Sequence, residues 1–297
     1  MNALDPLEAL YDAPQGVDLP LPPALASLYG RLALPSHPGR PHVIGNFVTT
    51  LDGVVSLNVP GQSGGGSISG QNAHDRMVMG LLRAVADVVI VGAGTLRESL
   101  QHVWTAAYIY PPLTDAYGQL RAALGKSEPP LNVIVTASGA IDMSLRVFQS
   151  GEVPVLVVTT LEGAQRIREH ALPQLVQVEA VQQAGSISAR RILEAASAVR
   201  QSDIVLLEGG PQLIGDFFAE GCLDELFLTL APQLAGRDNA NERPGLVEGQ
   251  HFAPEHPVWG TLMGIKRGES HLFLRYAFED DTNRSTSAKA RHTYHDS

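Results

Sequence analysis

Two apolar, strand-like runs in this sequence stop at glycine clusters. Val88-Val89-Ile90-Val91 ends in Gly92-Ala93-Gly94-Thr95, and Ile204-Val205-Leu206-Leu207 ends in Glu208-Gly209-Gly210-Pro211. Glycines at a strand exit let backbone amides approach a phosphate, and Thr95 adds a hydroxyl donor. Pro211 suits the first position of a helix, whose N-terminus favours anions. A third run, residues 46–53, carries Asn46, Thr50 and Asp52 to a strand exit, the place where open sheets collect ligands. Asp52-Gly53 is also an ordinary tight-turn pair, so both readings stand. A fourth stretch, residues 61–70, is rich in glycine and serine, contains Ser67, and leads into a helix bearing Asp75 and Arg76. It reads either as a flexible linker or as a substrate lid, with Arg76 clamping a phosphate or carboxylate.

Other chemistries lack their residues. The glycine run at 92–97 is not a dinucleotide fingerprint, because Arg97 stands where the third glycine of G-x-G-x-x-G would be. Residues 61–70 lack the Gly-Lys-Ser/Thr of a triphosphate loop. Gly61 to Gly65 match G-x-S-x-G only inside the glycine-serine stretch and not at a strand-to-helix elbow, no H-E-x-x-H pair occurs, and a single cysteine, Cys222, cannot build a thiolate cage, so no metal is expected. That cysteine reads as a buried small hydrophobe and suits a reducing compartment. A formal charge of −10 argues against general affinity for nucleic acid or anionic membranes. Nothing approaches the roughly 18 consecutive apolar residues of a membrane span, and the acidic start (Asp5, Glu8, Asp12) is unlike a signal peptide. A cytoplasmic location is the expectation.

The elements that must position these residues follow from periodicity. With 44% hydrophobic against 18% charged residues the chain is in the globular class, and its length allows one large α/β domain or two small ones, of which the run of elements favours one. Strands are expected at 43–49, 87–91, 132–136, 153–159, 174–178, 204–207 and 225–230. The continuous apolar runs among them suit a sheet covered on both faces. Helices are expected at 71–85, 115–124, 163–170, 188–200 and 211–220, with apolar positions such as Met77, Leu81, Leu82 and Val85 at helical spacing. Residues 258–266 and 271–278 read as an antiparallel hairpin at one edge. Residues 1–41, dense in proline, read as an extension with at most one short helix near 24–32, packed on the main domain. The domain spans 42–279, and the polar tail 280–297 is expected to be disordered.

Taken in order, the motifs resemble the reductase half of bacterial bifunctional riboflavin deaminase-reductases. They resemble still more the stand-alone pyrimidine reductases of the dihydrofolate reductase-like superfamily. The residues that carry the likeness are Thr50-Leu51-Asp52-Gly53, Leu82-Arg83-Ala84 before Ala86-Asp87, and Val91-Gly92-Ala93-Gly94-Thr95-Leu96-Arg97. Glu208-Gly209-Gly210-Pro211 follows, and then Asp224-Glu225-Leu226 with Ala231-Pro232. The resemblance runs from about 41 to 278. It implies a three-layer α/β/α fold with a mixed, mostly parallel sheet, a homodimer, and NADPH lying across the strand ends. By the likeness Gly92, Gly94, Thr95, Glu208, Gly209 and Gly210 would hold the nicotinamide half and pyrophosphate. Thr136, Ser138 and Thr159 would face the adenosine half. Asn46, Thr50, Asp52, Ser67 and Arg76 would border a small-molecule substrate, with Asp52 orienting or helping to protonate its amine nitrogen.

The implied reaction is hydride transfer from NADPH to the ribosyl C1′ of a ribosylaminopyrimidine phosphate, giving the ribityl chain. Two departures keep other readings open. The family's Asp-Asp-Pro falls at Ser99-Leu100-Gln101, and the tryptophan of the substrate loop is missing between Gly66 and Ile68. The deaminase half is absent, since there is no P-C-x-x-C. The alternatives are a reductase of the same fold acting on a dihydrofolate, pterin or other pyrimidine, and a nucleotide-binding protein without catalysis.

Overall fold

The computed structural model describes residues 4–35, 37, 39–59, 64–98, 100–238 and 242–278. Both the tail, 280–297, and Ser99 of the departing motif lie outside them. The strands are β1 (Glu8–Asp12), β2 (Val17–Asp18), β3 (Ala33–Leu34), β4 (His42–Thr49), β5 (Val88–Gly92), β6 (Leu131–Thr136), β7 (Val155–Thr160), β8 (Val176–Gln182), β9 (Ile204–Leu207), β10 (Glu225–Leu230), β11 (Thr261–Gly268) and β12 (His271–Ala277). The helices are α1 (Pro23–Tyr29), α2 (Gly65–Ser69), α3 (Ala73–Val85), α4 (Ala93–Glu98), α5 (Ala106–Ile109), α6 (Thr114–Ala123), α7 (Arg146–Gln149), α8 (Leu161–Arg168), α9 (Ala189–Val199) and α10 (Pro211–Ala219).

One ten-stranded sheet runs β1-β11-β12-β10-β4-β9-β5-β6-β7-β8. From β10 to β8 the pairings are parallel, whereas β12, β11 and β1 add antiparallel strands at one edge. This is the mixed, mostly parallel sheet with a C-terminal hairpin that the apolar runs and the Arg267–Ser270 turn imply.

Strand side chains alternate between two buried layers, and this makes the runs continuously apolar. Val89 and Val91 join a core with Met77, Leu81 and Val85 of α3 and Tyr117 and Leu120 of α6. Val88 and Ile90 face the other core, with Ile192 and Ala196 of α9 and Ile214 and Phe217 of α10. The result is three layers, α/β/α.

The amino-terminal extension is more structured than its prolines suggest. α1 falls close to the expected short helix, and Leu7, Leu25 and Leu32 enter the first core. β1 pairs antiparallel with β11 and becomes a sheet edge that the sequence reading missed. The glycine-serine stretch is likewise not simply a loop: residues 60–63 lie outside the described residues, but Gly65–Ser69 form α2. Among the described residues no helix is long and apolar enough to cross a membrane.

Candidate active site

Parallel strands that exit on one side leave a crevice beyond their carboxyl ends. Here that crevice is a cavity of about 770 Å³, a size suited to small-molecule and cofactor sites. Its walls come from Asn46 of β4, Gly64 to Gly66, Asp75, Arg76 and Arg83 of α3, Gly94, Thr95 and Arg97 of α4, and Glu208 to Pro211 after β9. The two glycine clusters, far apart in sequence, meet because β5 and β9 are neighbours: a Cβ on Gly92 would lie 3.9 Å from the Gly210 amide nitrogen.

The glycines divide by what a side chain would meet. At Gly94 and Gly210 a Cβ would find nothing within 4 Å, so the backbone there is bare to the cavity. At Gly209 it would strike the Leu213 side chain at 2.5 Å, which makes this glycine a packing requirement. α10 starts at Gly210 with no side-chain cap and with proline at its first turn, so its amides are open to an anion. Arg97 is exposed and makes no ion pair among the described residues. Bare amides, a helix start and an unpaired arginine at one cavity wall fit the pyrophosphate and phosphate groups of a dinucleotide.

Thr136, Ser138 and Thr159 are not part of that wall. Thr136 and Thr159 are register partners at the ends of β6 and β7, farther along the sheet. Thr136 Oγ1 accepts from the Gly139 amide at 3.2 Å, and the Ser138 carbonyl accepts from Arg166 at 2.8 Å. The Thr159 hydroxyl is buried without a hydrogen-bond partner.

At the cavity floor lies an ion pair that the sequence reading did not foresee. Arg83 and Glu208, 2% and 7% exposed, join with Nη2 to Oε2 at 2.6 Å, while Arg83 Nε reaches both carboxylate oxygens at 3.1 Å. Arg83 Nη1 also donates to His102 Nε2 at 2.9 Å. Burial, then Arg83 and Arg76, hold the His102 pKa down to about 2, so the ring is neutral with its proton on Nδ1. His102 packs against Trp104 and Tyr108, with ring centroids 4.9 and 4.5 Å away, which gives the cavity an aromatic wall. Asn132, fully buried on β6, fixes that wall by bonding both the amide and the carbonyl of Trp104, as a strand neighbour would. Arg76 Nε donates to the Ile109 carbonyl at 3.0 Å, which ties α3 to the same segment.

Asp52 and Asp75, both carried by the segments that lead from β4 into α3, differ completely. Gly53, at φ +79°, closes a turn with its amide on the Thr50 carbonyl at 3.0 Å. Asp52 Oδ1 accepts from the Thr50 hydroxyl at 2.6 Å and from the Ala235 amide at 3.1 Å, and Oδ2 accepts from the Gly236 amide at 2.7 Å. These donors hold its pKa down to about 2, with the Thr50 bond the largest cause. Asp52 and Thr50 are not among the cavity walls, nor is Ser67, whose carbonyl accepts from Gln233 at 3.5 Å. Asp52 clasps the β4 turn to the loop after β10. Asp75, by contrast, is 5% exposed, lines the cavity, and has its pKa raised by burial, against the pull of Thr229 and Ser69 hydroxyls.

Away from the cavity, His37, His42 and Asp224 each bring one potential ligand atom within 4.8 Å of the others. Asp224 is already held there by two bonds from Arg40 and one from the Val43 amide.

A family model described as the RibD C-terminal domain matches residues 41–258. The chain belongs to that family. A riboflavin biosynthesis protein RibD of Aquifex aeolicus (strain VF5) is 22% identical over 201 residues, 66% of this chain and 48% of the relative. The RibD-family chain thus spans about half the length of that curated relative. Among solved structures, a pyrimidine reductase-like protein from Corynebacterium diphtheriae superposes with a TM-score of 0.64 at 22% identity, covering 81% of this chain and 93% of the other. A deaminase/5-amino-6-(5-phosphoribosylamino)uracil reductase from Thermotoga maritima gives 0.56 at 20% identity, covering 81% and 57%. The chain is therefore a RibD C-terminal domain by family, and it shares its fold with these solved structures.

Within this RibD C-terminal domain, sequence reasoning placed Asn46, Arg76, Gly94, Thr95, Glu208, Gly209 and Gly210 at the cavity and missed others, among them Arg83, His102, Trp104, Tyr108 and Asp75. Arg83 had a signal, since Leu82-Arg83-Ala84 is one of the motifs. His102 and Trp104 had none, because their position depends on an asparagine on another strand.

Proposed function

We propose that this chain is an NADPH-dependent reductase that transfers hydride to the ribosyl C1′ of 5-amino-6-(5-phosphoribosylamino)uracil or a close analogue, in riboflavin biosynthesis. The observation that carries the reading is the meeting of two glycine strand exits at one cavity that also holds Asn46, Arg76 and the buried Arg83–Glu208 pair. When bound, NADPH would supply the hydride. The chain's own part is binding and orientation. Amides at Gly94 and Gly210, with Thr95, would take the pyrophosphate, and Arg97 is the candidate for a 2′-phosphate. Ser138, exposed beyond β6, would border the adenosine half, while Thr136 and Thr159 are buried beneath the same strand ends and would only support that corner.

Arg76 keeps its Nη groups without a partner among the described residues, so it is placed to clamp the substrate phosphate. The Arg83–Glu208 pair and Asn46 would face the sugar, with the aromatic wall beside the pyrimidine. Asp52 would serve by position: it sets the β4 turn and the loop after β10, with Thr50 and Ser67 supporting the same corner. The family likeness also supports a homodimer in the cytoplasm, and light scattering tests the first point.

NADPH oxidation, followed by absorbance with the ribosyl substrate, tests the reading, with NADH and dihydrofolate in parallel. Turnover of the ribosyl substrate supports it. Turnover of dihydrofolate alone would move the assignment to a pterin or folate, a second reading favoured by the wall of His102, Trp104 and Tyr108. Tight NADPH binding without turnover of either would favour a non-catalytic nucleotide-binding protein.

A further inference from the structure

Asp75 lines the cavity but holds neither cofactor phosphate nor substrate in the reading above. Asp75 sits in the first turn of α3, where its amide donates to the Asn72 cap at 3.0 Å. The elements packed around it supply two hydroxyls, one like charge and one imidazole. From β10 comes the Thr229 hydroxyl, from α2 that of Ser69, and from the end of β9 comes Glu208, itself negative and already paired with Arg83. From β12 comes His271, whose ring bonds Asn72 Nδ2 at 3.2 Å and the Ser69 carbonyl at 3.0 Å. Both of those bonds are satisfied by one ring proton, on Nε2. On α3 itself, His74 turns to the Asp5 carbonyl and Arg76 to that of Ile109. Among the described residues no arginine or lysine forms an ion pair with Asp75, although it is 5% exposed. A carboxylate so enclosed, without a cation, is costly; a carboxylic acid is not.

We infer that Asp75 is held as a neutral carboxylic acid and is the proton donor for reduction in this cavity. This rests on the reductase reading above and adds to it the group that balances the hydride. In a ribosylamine the proton goes to the ring oxygen as the C1′–O bond breaks. The exocyclic nitrogen lone pair forms C=N, and C1′ then accepts a hydride from a reduced nicotinamide while the C=N pair returns to nitrogen. The substrate gains one proton and one hydride, the nicotinamide is oxidised, the ring oxygen becomes a hydroxyl, and Asp75, left as carboxylate, regains its proton from water. Burial raises its pKa and so favours the protonated acid.

The test pairs a spectrum with kinetics. In the infrared, the wild-type protein is expected to show the C=O stretch of a protonated carboxylic acid near neutral pH, absent in Asp75→Asn. With the ribosyl substrate, Asp75→Asn is expected to lose roughly 100-fold or more in kcat, with NADPH binding measured by fluorescence unchanged. The wild-type rate is expected to fall as pH rises and Asp75 ionises. Absence of the band, or an Asp75→Asn variant with wild-type kcat, would overturn the proposal. A band present without turnover of the ribosyl substrate would support the neutral acid and instead sink the choice of substrate.

Discussion

Three carboxylates around the strand exits show how surroundings divide labour among identical groups. Asp52, in the β4 turn, accepts three donors and is driven to about 2. Asp75, at the start of α3, is enclosed with no arginine or lysine paired to it among the described residues and is driven the other way. Glu208, after β9, is buried with an arginine against it. A turn full of donors makes a structural clasp, a sealed pocket makes an acid, and a matched pair makes a rigid floor.

Breaking the floor should cost most. Glu208→Gln leaves Arg83 buried without its partner, and thermal or denaturant unfolding should show a loss of about 3–5 kcal/mol. A loss under about 1 kcal/mol would mean that water reaches Arg83, as at exposed pairs.

The two aspartates should then separate by the sign of their pH dependence. For Asp75 the folded pKa lies above the unfolded one, so the folded protein binds the extra proton and stability declines as pH rises between them. Asp75→Asn should therefore melt above wild type, by a margin that grows with pH, while turnover is lost. For Asp52 the folded pKa is depressed, so its contribution is present above the unfolded value of roughly 4 and disappears as pH falls toward about 2. Asp52→Asn should erase that acid-side part of the melting curve and lower turnover by roughly tenfold through a displaced loop, leaving the pH profile of the rate in place. A changed alkaline limb in Asp52→Asn would make it the acid.

Smaller effects should come from the edges of the site. Arg97→Ala should raise the KM for NADPH by roughly tenfold, the value of one exposed charge-assisted contact, and leave that for NADH alone. Equal losses with both cofactors would place Arg97 on the pyrophosphate. Thr229→Val removes a hydroxyl that favours the ionised Asp75, so the alkaline limb of the rate should move to higher pH.

Much of this architecture is legible in the sequence because parallel strands buried on both faces leave an unmistakable record, as in Val88 to Val91. β1 leaves none: all five of its residues are exposed and its pairing is irregular between Ala9 and Tyr11, so neither alternation nor an apolar run marks it. The short helices α2, α4 and α5 span too few residues for a helical period to emerge. In the site, the glycine exits could be read because a bare backbone is written as glycine. Asp75 could not, since an acid in a helix's first turn is ordinary, and its enclosure depends on Thr229 and His271, far along the chain. Asp52 looked chemical because it stands at a strand exit, and only the amides of Ala235 and Gly236 reveal where its lone pairs go.

The most direct test of the whole account is to follow the hydride. With NADPH deuterated at the reactive carbon of its nicotinamide and the ribosylaminopyrimidine phosphate as substrate, the account predicts one deuterium at C1′ of the ribityl product, seen by nuclear magnetic resonance. Oxidation of NADPH with no deuterium at C1′, or no product at all, would contradict it.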